Sequence, residues 1–155
     1  MKQTPGYDAI QRQMAPGVIT LEGFLGTDNR KLIDILNADD ATVRRAEVTH
    51  QQIAERMQYF RDIGLDGLGE FMGVDDHFDV RVDSVRGKLP SPFGGPGMYE
   101  KVNTTVVNKR LGREVVYTDL HIHFVRDHGF YEGKGSSYRL EPEDLIAILE
   151  VAPAT

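Results

Sequence analysis

The sequence contains no cysteine. That removes disulfide scaffolds, thiol nucleophiles and cysteine-ligated zinc from the chemistry it can carry. No apolar run approaches the length that spans a bilayer. The opening residues, MKQTPGYDAIQRQMAPG, are polar, broken by Pro5 and Pro16, and lack the apolar stretch of a secretory signal. Residues 1–16 are therefore expected to form an arm or a loose tail, and the protein is expected in the cytoplasm. Positive charge is scarce too: the formal net charge is −6. An acidic chain is a poor nonspecific binder of nucleic acid or anionic lipid. There is no internal repeat or low-complexity tract, and Ser84, Ser91, Ser136 and Ser137 lack a nucleophile-elbow context.

What is present is a globular balance. The chain has 155 residues, 40% of them hydrophobic and 27% charged, which suits a single domain (residues 1–155) with its own core. TDNRKLIDILNA predicts a helix over about 28–37, capped by Thr27 or Asp28, with Leu32, Ile33 and Leu36 on one face. DDATVRRAEV reads as a separate helical turn. THQQ is a capping-box pattern, and Ile53, Met57 and Phe60 follow at helical spacing, so a helix is expected over 50–63. Pro142, Glu143 and Asp144 suit the first turn of a last helix, over about 142–150.

Between these helices the pattern changes to period two. Phe78, Val80 and Val82 alternate with Asp79, Arg81 and Asp83, as in a strand with one wet face. LPSPFGGPGM reads as an exposed loop over about 88–98. VNTTVVNKRLGREVVYTDLHIHF reads as a hairpin over 102–108 and 114–125. Short strands are expected at 136–140 and 18–22. With Gly112 as a bulge, Lys109 would pair with Arg113, and Val102, Thr104 and Val106 would face Leu120, Thr118 and Val116. A two-residue loop would gain an exposed Lys109–Glu114 pair worth roughly 0.2–1 kcal/mol, against about 1.5–3 for burying Leu120. The bulged register is therefore preferred. Helices, then strands, then a helix give an α+β class: an antiparallel sheet of four to five strands, covered on one face by helices, with a helical N-terminal half.

The stretch DLHIHFVRDH, residues 119–128, holds three of the five histidines. On a strand, Leu120, Ile122 and Phe124 would share one face and Asp119, His121 and His123 the other. Two imidazoles at i and i+2 can converge on one metal ion. The expected metal set is His121, His123, Asp119 and His128, holding one divalent transition metal (zinc, iron, nickel or manganese). His128, Glu132 and Lys134 are the catalytic candidates. GFYEGKGSS does not fit the phosphate-loop spacing and reads as a connection that closes over the histidine face. DLHIHF is similar to the metal strand of the amidohydrolases, a family in which it opens a large β/α barrel; too little sequence follows here for one. Glu132 lies farther from His123 than the cupin pattern allows. Neither family is assigned.

These observations lead to an expected small-molecule-binding protein or enzyme with a histidine-lined cleft, using a divalent metal. The second expectation is a non-catalytic interaction or homo-oligomerisation module. A nucleic-acid regulator using Arg44, Arg45, Arg56 and Arg61 comes third, because Asp39, Asp40, Glu47, Glu55 and Asp62 neutralise that segment.

Overall fold

A computed structural model describes residues 2–153. Its elements are α1 (Pro5–Gln13), α2 (Leu32–Arg45), α3 (His50–Gly64), β1 (Met72–Val74), β2 (Phe78–Pro90), β3 (Met98–Asn108), β4 (Arg113–Thr118), α4 (Asp119–His128) and α5 (Pro142–Ile148). The four strands form one antiparallel sheet in the order β1-β2-β3-β4. The class is α+β, as expected. Among the described residues, no helix is long and apolar enough to cross a membrane.

The expected helix at 50–63 is α3. Thr49 Oγ1 accepts the Gln52 N–H while the Gln52 side chain accepts the Thr49 N–H, closing the capping box. Ile53, Met57 and Phe60 are buried against Phe78, Val80 and Val82 of β2. Gly64 lets α3 approach the sheet, since a Cβ there would stand 2.6–2.7 Å from the Val82 and Val80 methyls. Phe78, Val80 and Val82 alternate inward along β2 as expected.

Several expectations are corrected. The helix expected at 28–37 is the longer α2, which starts at Leu32 and absorbs the DDATVRR turn. It stays continuous because Asp39, on its buried face, receives a two-pronged pair from Arg139 at 2.7 and 2.8 Å. A buried aspartate is costly alone and tolerated when paired this way. Asp28 is no cap; it grips Arg30 at 2.9 and 2.7 Å, and that contact holds its carboxyl far below the usual range. The N-terminus of α2 is instead capped by Gln11 of α1 and by Gln3 just ahead of that helix. Gln11 Oε1 accepts the Leu32 N–H at 3.0 Å, and Gln3 Oε1 accepts the Ile33 N–H at 2.8 Å. Of the expected arm or loose tail, residues 2–16 form the arm: a docked helix over Pro5–Gln13, anchored by the fully buried Met14.

The hairpin register also differs by one residue. Asn108 pairs with Arg113, Val106 with Val115 and Thr104 with Tyr117, so the turn holds four residues, with Gly112 at φ 63°. Asn108 Oδ1 accepts the N–H groups of Arg110 and Leu111 and closes it. This register turns Tyr117 inward, where its hydroxyl donates to the Met57 carbonyl at 2.8 Å. Val116, expected inside, is 51% exposed. Burying a tyrosine ring with its hydroxyl satisfied outweighs burying one valine. Strand β4 ends at Thr118, and residues 18–22 and 136–140 are turns, not strands. In LPSPFGGPGM, β2 runs on through Pro90 and β3 starts at Met98.

The largest correction is DLHIHFVRDH, which is helix α4 and not a strand. Thr118 starts it: its Oγ1 accepts the His121 N–H at 3.1 Å, and His121 Nδ1 accepts the Thr118 N–H at 3.0 Å. A histidine here takes the place that glutamate or glutamine holds in the usual capping box. The helix lies between two cores. Ile122 and Val125 join the sheet-side core, while Leu120 and Phe124 join a second one with Met14, Phe24, Leu32, Ile35 and Phe130. Burial of residues 120–125 on both sides leaves no outward position in the middle of the helix, and the alternation L-x-I-x-F reads as strand.

Candidate functional site

The site grows from the start of α4. The capping box fixes the His121 ring, because its Nδ1 is held by a backbone N–H. Its Nε2 faces Glu132 Oε2 in a close hydrogen bond. Both side chains are only 4% exposed. With Nδ1 accepting, the proton of the neutral ring sits on Nε2 and is donated to Glu132. Ser136 Oγ lies 3.0 Å from Glu132 Oε1 and donates to it.

Glu132 has φ 68°, a left-handed conformation that a non-glycine residue adopts at a cost. Three neighbours hold it there. The Arg139 guanidinium donates to the Glu132 carbonyl at 2.8 Å, and the Gly133 N–H donates to the Phe24 carbonyl at 2.9 Å. Gly133 also lies so close to the Leu25 backbone that a Cβ would stand 2.3 Å from its carbonyl oxygen. The glycines of GFYEGKGSS therefore let this loop cross the 22–27 segment and carry Glu132 beneath His121.

The pair opens onto a cavity of about 450 Å³. Phe24, Leu89, Tyr99 and Leu120 give it an apolar wall; Glu22, Glu100 and Lys101 add charge. A volume of this size suits a small organic ligand.

The other expected site residues lie elsewhere. Asp119 is drawn to α3, where Arg61 donates to both its oxygens at 3.1 and 3.0 Å. His123 points the other way from His121. Its Nε2 lies 3.1 Å from Ser91 Oγ, and its Nδ1 lies 2.8 Å from Asp127 Oδ2 and 2.9 Å from the Tyr99 hydroxyl. His128 stacks on Phe93 with centroids 3.8 Å apart. Burial pushes both imidazoles below their usual value; Asp127 opposes this at His123, and His123 adds to it at His128. Lys134 gives its backbone N–H to Asp28, and its side chain is exposed outside the cavity. Among the described residues, no group of three or more His, Asp or Glu side chains is placed to hold a metal ion. The helical turn sends Asp119 and His121 to different neighbours and leaves only His123 and His128 together, with ring centroids 5.2 Å apart. With Nδ1 held by the Thr118 N–H and the proton on Nε2, the His121 ring turns no lone pair toward the cavity.

A second small network lies nearby. His50 bridges Asp40 Oδ1 at 2.9 Å and the Tyr131 hydroxyl at 2.8 Å. Burial pushes the Tyr131 phenol far above its usual value. Ser91 was set aside in the sequence for want of a nucleophile elbow and His50 was not singled out; no local spacing marks their contacts with His123 and Tyr131, which lie 32 and 81 residues away. No protein-family model, curated protein or solved structure matches the chain.

Proposed function

We propose that this is a small-molecule-binding protein or enzyme whose ligand occupies the cavity beside His121 and Glu132. The observation that supports this reading is a carboxylate 4% exposed, lining a cavity, and hydrogen-bonded to an imidazole instead of paired with arginine or lysine. Buried charges without a cationic partner are costly, and such groups concentrate at functional sites. The strained backbone at Glu132 fits the same reading. Glu132 is the group placed to accept a hydrogen bond or a proton from the ligand. His121 orients it and stabilises its charge.

A divalent metal in this cavity would find its donor in Glu132, because His121 Nε2 carries a proton while Thr118 holds Nδ1. One such donor falls short of the three that catalytic zinc sites use, so zinc should bind weakly and be lost on dialysis. The cytoplasm is the proposed compartment, which a chain with no disulfide to form fits.

The test is a small-molecule library screened by ligand-observed NMR against the full chain and against Glu132→Gln. Ligands that compete with one another on the wild type and lose affinity in the variant are expected. A library with no ligand sensitive to Glu132→Gln would overturn the reading.

A further inference from the structure

The charges around the cavity decide which chemistry it accepts, and this inference rests on the reading that the cavity holds a small molecule. Glu132 receives one hydrogen bond from His121 Nε2 and one from the Ser136 hydroxyl, so both of its oxygens act as acceptors, the role of a carboxylate. His121 supplies no net positive charge, because its Nδ1 is occupied by the Thr118 N–H. Among the described residues, no lysine or arginine forms an ion pair with Glu132.

The cavity's one lysine does not answer that charge. The end of Lys101 lies over the backbone of Gly87, its Nζ 3.5 Å from where a Cβ there would stand, and Gly87 lies outside the cavity lining. Glu22 and Glu100 add two more carboxylates, so three negative groups face one ammonium. The wall carries the aromatic rings of Phe24, Tyr99 and Tyr138. Aromatic faces attract cations and also pack apolar groups.

We propose that the cavity takes an amphipathic organic amine. Its ammonium donates to Glu132 and supplies the positive charge that the protein withholds. Its apolar or aromatic body lies against Phe24 and Leu120. An organic anion of the same shape would meet like charge at Glu132, and a neutral alcohol would leave the buried charge uncompensated.

The experiment uses three probes with one common ring: tryptamine, tryptophol and indole-3-acetate. Each is titrated into isotope-labelled protein, and the backbone amides of Leu120, His121 and Glu132 are followed by NMR. Tryptamine should bind about tenfold or more tighter than tryptophol, as expected of a charge-assisted hydrogen bond, with indole-3-acetate weakest. Glu132→Gln should bring tryptamine and tryptophol to within about twofold of each other. Lys101→Gln removes the cavity's half-buried lysine without touching the buried pair, and it should tighten tryptamine alone. Tryptophol or indole-3-acetate binding as tightly as tryptamine would overturn the amine class while the small-molecule site stands. Silence of the cavity amides with all three probes also overturns it, and a broad library with no Glu132-dependent ligand would bring down the site itself.

Discussion

His121 and His123 stand two residues apart on the same short helix, and their surroundings differ in one decisive respect. Both rings are buried, and both bond to a carboxylate and to an oxygen or nitrogen of a neighbouring element. His121 reaches a glutamate that lines a cavity. His123 lies between Asp127 and Ser91, in the order of contacts that a serine hydrolase uses. Yet Ser91 is 6% exposed, its Oγ also accepts the Phe93 N–H at 3.1 Å, and it does not line the cavity beside His121. Connectivity alone therefore does not make a site; access for a reactant separates the two. The Ser91 cluster fastens the glycine-rich 91–97 loop to α4, while the His121 pair faces open space.

The difference can be broken from either side. The largest effect should come from His121→Ala, which strips Glu132 of its donor and α4 of its capping partner. Leaving a buried carboxylate without that donor should cost about 3 kcal/mol, read as a lower midpoint in urea. A change below about 0.5 kcal/mol would mean that the pair is not formed. His123→Ala should cost less, about 1–2 kcal/mol, because Asp127 can turn to water. It should speed amide exchange in the 91–97 loop and leave ligand affinity at the cavity within about threefold. Equal damage to binding from both variants would erase the distinction. Ser91→Ala should cost about 1 kcal/mol, and an organofluorophosphonate should leave Ser91 unmodified. A covalent adduct on Ser91 would show that the cluster is open and reactive.

The smallest effect is on pH dependence. Burial holds the His123 imidazole below its usual value of 6.5. Its unfolded form therefore takes up a proton at a higher pH than its folded form does. The associated stability is complete above 6.5 and is lost as pH falls through the lower folded value. The melting temperature of the wild type should fall as pH drops below that point, and His123→Ala should flatten the slope there. An unchanged slope would place the ring in contact with water.

Much of the fold was legible, and the reasons are local. THQQ with Ile53, Met57 and Phe60 announces α3, Pro142 announces α5, and Phe78, Val80 and Val82 announce β2. Helix α4 was not legible, because a helix buried on two sides can carry L-x-I-x-F as readily as a strand can. That error also displaced the hairpin by one residue, since burying Leu120 was credited to the strand when it belongs to the second core. His121 and Glu132 were both candidates, but their pairing was hidden. It depends on Gly133 crossing the Leu25 backbone, a contact more than a hundred residues apart in the chain. Thr118-x-x-His121 was the available clue to the helix start, masked because histidine is not the usual partner in that pattern.

The most direct measurement follows the ring signals of His121 and His123 together, by NMR, as the hits of a small-molecule library are added to the full chain. The expected result is ligands that shift His121 strongly and His123 less, since His123 meets the cavity only through the ring and hydroxyl of Tyr99. Ligands that shift His123 and spare His121 would contradict the assignment of the cavity as the site.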